Sequence, residues 1–189
     1  MFIQTEETPN PATLKFLPGK ILLEKGTLEF KSPEEAQNNS LARKLFALEH
    51  VEGVFIGNDF VTVTKSESVK WEILKPSLLS LILEYFSTGG EIENYETDRN
   101  LEEKKIKYTK KDQEIVNKIN ELLEERIKPA VAQDGGDINF VKLQKGVVFL
   151  ELRGACSGCP SSTITLKSGI ENMLKYYIPE IDSVEAVNQ

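Results

Sequence analysis

The stretch DGGDINFVKLQKGVVFLELRGACSGCP, residues 134–160, decides how the C-terminal half of this chain folds. It opens on Asp134-Gly135-Gly136-Asp137, a turn, because glycine tolerates the positive φ that such turns demand. Two strands follow, Ile138–Leu143 and Val147–Leu152, joined at Gln144-Lys145-Gly146. Beyond Cys156-Ser157-Gly158-Cys159-Pro160, the residues Ile164, Ile170, Met173, Leu174 and Tyr177 predict one apolar helical face, ended by Pro179. Ser183–Val187 supplies a last strand. Upstream, Thr109 and Asp112 resemble a capping box. The helix they start carries Ile115, Ile119, Leu122, Leu123 and Ile127 on one face, and Pro129 is expected to stop it. Helix, hairpin, helix, strand is the order of a small α+β sandwich.

The N-terminal half reads as a second sandwich. Pro9-Asn10-Pro11 marks a turn and Thr13–Leu17 a short strand. Ser40 is expected to cap a helix over Leu41–Leu48, with Gly53 beyond its end. Val54–Ile56 and Phe60–Thr64 form a hairpin around Gly57-Asn58-Asp59. Pro76 fits the first turn of a helix running to Phe86, where its missing N–H is not needed. That helix is apolar almost all round, which predicts burial against a sheet rather than a partner surface.

Charge divides the chain of 189 residues into three zones. Residues 1–90 hold 9 basic and 12 acidic side chains, and residues 112–189 hold 8 and 12. Residues 91–111 hold 6 of each with few apolar residues, too few to offset the entropy of ordering them. The expected organisation is therefore two small α/β-sandwich domains, 1–90 and 112–189, joined by a charged flexible linker, 91–111. A surface helix through Leu101–Lys107 is the competing reading of that zone.

The formal charge of −7 argues against nonspecific nucleic-acid binding, which needs cations to displace phosphate counterions. No run approaches the ~20 apolar residues of a membrane span. Two cysteines are too few for a disulfide-stapled secreted scaffold. The start of the sequence lacks a basic region followed by an apolar run, and an amphipathic Arg-rich leader. These features predict a reducing, cytoplasmic setting.

Cys156 and Cys159 are the only cysteines, and random placement would put two of them three positions apart roughly one time in a hundred. A turn that short lets both sulfurs converge. The helix opening at Pro160 and Ser161 offers free N–H groups and a dipole that favour negative charge, which predicts a lowered thiol pKa. Three chemistries fit such a pair. An iron–sulfur cluster needs about four thiolates, so two chains would have to share it. A dithiol/disulfide oxidoreductase is second, although thioredoxin-like pairs follow the first strand of a βαβ unit and an aromatic residue. A zinc site of four sulfurs, serving an interaction module, is third. Nothing else reads as catalytic. His50, the only histidine, follows a helix and is expected to interact with its dipole. Asp134 and Asp137 flank a double glycine and read as turn residues rather than an acid–base pair.

Taken together, the motifs resemble those of the Nfu-type (NifU-like) iron–sulfur scaffold and carrier proteins over nearly the whole chain. The first domain contributes Thr8-Pro9-Asn10-Pro11, Leu14-Lys15-Phe16, Ser40–Phe46 and Gly57–Lys65. The second contributes Ile127-Lys128-Pro129, Asp134–Asp137 and Gly154–Ser162. Lys128 departs from the arginine expected there, but keeps the charge. The resemblance implies a carrier rather than an enzyme, with a [4Fe–4S] cluster shared by a dimer through Cys156 and Cys159 of each copy. It implies apo iron–sulfur proteins as recipients, an upstream assembly scaffold as donor, and an N-terminal domain that recognises partners.

Overall fold

The computed structural model describes residues 2–92, 106, 108–157 and 160–187, with the side chains of 160–163 left aside. The chain divides into two units, Met1–Asn94 and Tyr95–Gln189, each an α+β fold. Most of the expected linker, residues 93–105 and 107, lies outside the described residues.

In the first unit β1 (Gln4–Glu7), β2 (Thr13–Leu17), β3 (Leu28–Phe30), β4 (Val51–Ile56) and β5 (Val61–Lys65) form one antiparallel sheet, ordered β1-β2-β5-β4-β3. Alternation along β2, β4 and β5 sends Leu14, Phe16, Val54, Ile56, Val61 and Val63 into the core. The helices α1 (Ser40–Phe46) and α2 (Trp71–Ser87) contribute Leu41, Leu45, Leu74, Leu78 and Ile82. β1, polar throughout, and β3, only three residues long, are not legible as strands in the sequence. The cap of α1 is Asn39 rather than Ser40. Asn39 Oδ1 accepts from the Ala42 N–H at 2.9 Å, while the Ser40 hydroxyl lies 2.5 Å from that of Tyr85. The helix ends at Phe46, two residues short of the expectation.

α2 begins five residues earlier than Pro76 suggests, from an extended Lys70. One turn inside a helix, proline forfeits a single backbone bond, to the Glu72 carbonyl. The longer helix buries Leu74 and lets Trp71 Nε1 donate to the Pro11 carbonyl at 2.9 Å, which offsets that loss. Leu74, Leu78, Ile82, Tyr85 and Phe86 are buried, as the apolar run predicts, whereas Ile73 and Leu83 face outward.

In the second unit Thr109 caps a helix: its Oγ1 accepts from the Asp112 N–H at 3.2 Å and donates to the Asp112 carboxylate at 2.8 Å. The helix α3 (Lys110–Leu122) runs through a π-helical stretch, Leu123–Ile127, into α4 (Lys128–Gln133). Pro129 therefore does not stop the helix. The stretch before it bonds five residues back instead of four, and Pro129 falls in the first turn of the segment that follows, where no N–H is required.

β6 (Gly136–Gln144) and β7 (Val147–Gly154) pair antiparallel from Gly136↔Gly154 to Gln144↔Val147, with a bulge between Phe140 and Lys142. Lys145 and Gly146 both adopt positive φ, 49° and 77°, the two-residue turn that matches strand twist. A helix, α5 (Pro160–Tyr177), then crosses back so that β8 (Ser183–Ala186) pairs parallel with β7. The buried stripe of α5 is Ile170 and Leu174, continued by Ile178 just past its end, all spaced by four, with Leu166 packed against it. Two residues from Leu166 is 200° around a helix, so Ile164 is 66% exposed rather than on the core face. Tyr177 is also outside the core, with the Arg126 guanidinium 5.1 Å over its ring.

Each unit has a core of its own, and the single tryptophan, Trp71, reports only on the first. Leu174→Ala, at a fully buried position, should destabilise the second unit by about 2–5 kcal/mol. In urea its far-UV circular dichroism should lose stability while the Trp71 fluorescence transition stays in place.

Candidate cysteine site

β7 ends at Gly154, and one 3-10 turn, Ala155–Ser157, follows directly. Gly154 adopts φ 64° and Gly135 φ 79°, so both chain reversals at this end of the hairpin rest on glycine. The two turns are stapled together: the Ala155 N–H donates to the Gly135 carbonyl at 3.2 Å. Ser157 Oγ donates back to the Gly154 carbonyl at 2.9 Å.

Cys156 is 6% exposed, packed with Ile138, Leu152 and their neighbours in the core of the unit. The space for its sulfur exists because residue 136 has no side chain. A Cβ there would stand 2.6 Å from Cys156 Sγ and 2.7 Å from the Arg153 carbonyl. The double glycine thus does two jobs, the first residue making the turn and the second making room.

The expected fall in thiol pKa is reversed at Cys156. Burial, then the negative charges of Asp134 and Asp137, push the thiol from its ordinary 9.0 up to about 12. A buried sulfur beside two carboxylates has no water to stabilise a thiolate, and this outweighs whatever a helix N-terminus provides. At neutral pH Cys156 is therefore a neutral thiol. Cys159 and Gly158 lie outside the described residues.

Asp134 stands exposed at the C-terminal cap of α4, as a turn residue should, but Asp137 is a buried residue of β6, paired in register with Arg153. Arg153 Nε and Nη2 both donate to Glu151 Oε2 at 2.8 Å. The burial of Asp137 and the Glu151–Arg153 pair escaped the sequence reading. The alternation of Glu151 and Arg153 along β7 was the available signal, since residues two apart share a face. His50 lies in the first unit with φ 73°, its Nδ1 3.3 Å from Ser68 Oγ and 3.4 Å from Ser66 Oγ. It stands four residues past the end of α1, in a turn rather than at a helix terminus. Among the described residues no three His, Cys, Asp or Glu side chains converge to hold a metal ion, and no helix is long and apolar enough to cross a membrane.

With this geometry in hand, comparison with known proteins is direct. Residues 3–89 match the family described as scaffold protein Nfu/NifU N terminal, and residues 119–185 match the NifU-like domain. The human protein named "NFU1 iron-sulfur cluster scaffold homolog, mitochondrial" is 47% identical over 188 residues, 99% of this chain and 72% of its own length. The protein of the same name from Drosophila persimilis is also 47% identical over 188 residues, 99% of this chain but 65% of its own. A solution structure of a NifU-like protein from Saccharomyces cerevisiae aligns over 50% of this chain and 87% of its own, at 29% identity and a TM-score of 0.46. A crystal structure of a Staphylococcus aureus protein aligns over 43% of this chain and 99% of its own, at 23% identity and a TM-score of 0.39. The chain belongs to the Nfu/NifU family of iron–sulfur cluster scaffold proteins. Those relatives carry "mitochondrial" in their names, which runs against the cytoplasmic expectation.

Two outcomes follow from the packing and the shifted thiol. Gly136→Ala should lower stability by about 1–3 kcal/mol, the scale of an overpacked core. Gly169→Ala, on an open helical surface with no atom within 4 Å of the added carbon, should raise it. Thermal midpoints of the two variants, moving in opposite directions, check this. Because the folded pKa of Cys156 is raised, its contribution to stability is intact below 9.0 and is lost as pH climbs toward about 12. Urea denaturation at about pH 8 and about pH 10.5 should show wild type losing more stability than Cys156→Ala across that interval.

Proposed function

We propose that this protein carries a [4Fe–4S] cluster between two copies of itself, with Cys156 and Cys159 of each copy supplying the four thiolates, and passes it to apo-proteins. The supporting observation is the site of Cys156 in a chain of scaffold type. The two cysteines of the sequence stand three positions apart, and Gly136 leaves space for the sulfur of the first. Two thiols per chain make half the usual ligand set, so closing the set requires a second copy.

The cluster is cargo. On loading, each thiol gives up its proton as iron binds the sulfur, so uptake releases protons and becomes easier as pH rises. On delivery, an acceptor with three or four preorganised cysteines replaces the carrier's sulfurs one at a time. No bond of the cargo need be made or broken by an acid or base on this chain, which fits a carrier and not an enzyme. The donor in this reading is an upstream assembly scaffold, and the first unit contributes the surface that recognises partners. A dithiol/disulfide exchange role is disfavoured by Cys156 itself. A thiol held near 12 presents almost no thiolate at neutral pH, and the thiolate is the attacking species.

Anaerobic incubation with ferrous iron and sulfide should turn the protein brown and convert monomer to dimer, with about four irons per two chains. Cys156→Ala and Cys159→Ala should each lose the chromophore and the dimer while keeping the circular dichroism of the wild type. Wild-type protein that stays colourless and monomeric overturns the proposal.

A further inference from the structure

β6 is an outer strand of its sheet, and among the described residues it pairs only with β7. Its other edge keeps the backbone groups that the ladder does not use. The Ala155 N–H bonds the Gly135 carbonyl, so in the antiparallel register Asp137 and Asn139 bond β7, while Phe140 turns its N–H and C=O groups outward. The hairpin gives the other phase beyond the bulge. Gln144 and Val147 close the two-residue turn, so Leu143 faces outward, and its N–H donates to the Tyr108 hydroxyl at 3.2 Å. One outward donor of this edge is thus met by a side chain from the residues leading into α3. Toward the start of β6 the edge is closed off, with Ile138 fully buried, so the reachable stretch is Asn139 to Leu143.

Beside Asn139 and Phe140 that stretch opens on a cleft of about 390 Å³. Val116 and Leu123, both buried, and Phe140 supply its apolar lining. Three carboxamides supply much of the rest, Gln113 and Asn120 from α3 and Asn139 from β6. Its two charged residues, Glu124 and Lys128, pair with each other and leave no net charge. A carboxamide donates and accepts at once, as a peptide group does, and selects neither cation nor anion. The volume excludes a helical guest: one turn, about 10–12 Å across and about 5.4 Å long, fills roughly 420–610 Å³. Two irregular elements frame the cleft, the π-helical stretch that begins at Leu123 and the bulge after Phe140, and both kinds concentrate at functional sites. The bulge also breaks the flat edge that a second β6 would need for pairing over its length.

We propose that the β6 edge at Phe140, with the cleft beside it, docks a short extended peptide segment of a partner protein. Phe140 supplies the backbone pair, and the carboxamides of Asn120 and Asn139 bond peptide groups of the guest. Every second guest side chain turns toward Val116 and Leu123, so the guest has an apolar residue there between uncharged neighbours. The second unit then recognises partners with a surface of its own, whether or not a cluster is bound.

The test uses the full chain without cluster and a phage-displayed library of random linear heptapeptides. Enriched sequences should share an apolar residue flanked by uncharged ones. Synthesised with blocked ends and titrated into ¹⁵N-labelled protein, they should move the amide signals of Asn139 and Phe140 and of the α3 face from Gln113 to Leu123. Asn120→Ala, at an exposed helical position, and Asn139→Ala should each weaken binding by about threefold to tenfold, the scale of one hydrogen bond. N-methylating every second guest amide should cost far more in one alternation than in the other, because only alternate groups face β6.

A library that yields no binder, binders that move signals only elsewhere, or binding indifferent to N-methylation overturns the inference. Signals of Asn139 and Phe140 that shift with protein concentration alone, with a dimer in sedimentation, assign the edge to a second copy and overturn it too. None of these outcomes bears on cluster uptake, which is read from the chromophore.

Discussion

The approach of β6 to β7 at Gly136 and Gly154 is the constraint on which the second unit depends. The strands must close to within a Cβ's radius there, because the Cys156 sulfur and the Arg153 carbonyl both occupy the space a side chain would take. Only glycine at 136 allows this, and only a positive φ at 135 and 154 brings the chain in and out of it. From that point the hairpin, the one-turn 3-10 segment and the start of α5 follow in order. The sulfur is thereby set against the apolar core rather than in a loop of its own, which links the packing of the unit directly to the chemistry of its thiol.

That link explains why Cys156 departs from the usual picture of a cysteine near a helix N-terminus. Dipole and free N–H groups lower a thiol pKa when the sulfur is also reachable by solvent. Here burial is the larger effect, and the Asp134 and Asp137 carboxylates add to it. The same burial that raises the thiol protects it, because a neutral, enclosed sulfur is a poor target for oxidation.

The first unit is built on a different economy. Its five-stranded sheet carries one apolar face covered by α1 and α2, and its edges are the short β1 and β3. On the other face the Lys15 ammonium lies 4.7 Å from the centroid of the Phe60 ring and 3.4 Å from the Glu6 carboxylate. The lysine stem is buried while its charge is met from two sides, so a basic residue is accommodated in the middle of a sheet.

Much of this was set by local sequence. Alternating apolar residues gave β2, β5, β6 and β7, the Lys145-Gly146 turn gave the hairpin, and Thr109 gave the start of α3, because each depends on residues a few positions apart. The motifs gave the family. Other features required the folded chain. That Pro76 lies inside a helix depended on packing that offset a lost bond, and that Pro129 does not stop one depended on the π-helical stretch before it. That Ile164 faces outward depended on which stripe of α5 met the sheet. The charge state of Cys156 depended on residues twenty positions earlier in the chain, brought alongside by the β6–β7 pairing. Sequence determines what happens between neighbours along the chain; burial and field at a sulfur are set by neighbours in space, and only the tertiary structure decides which those are.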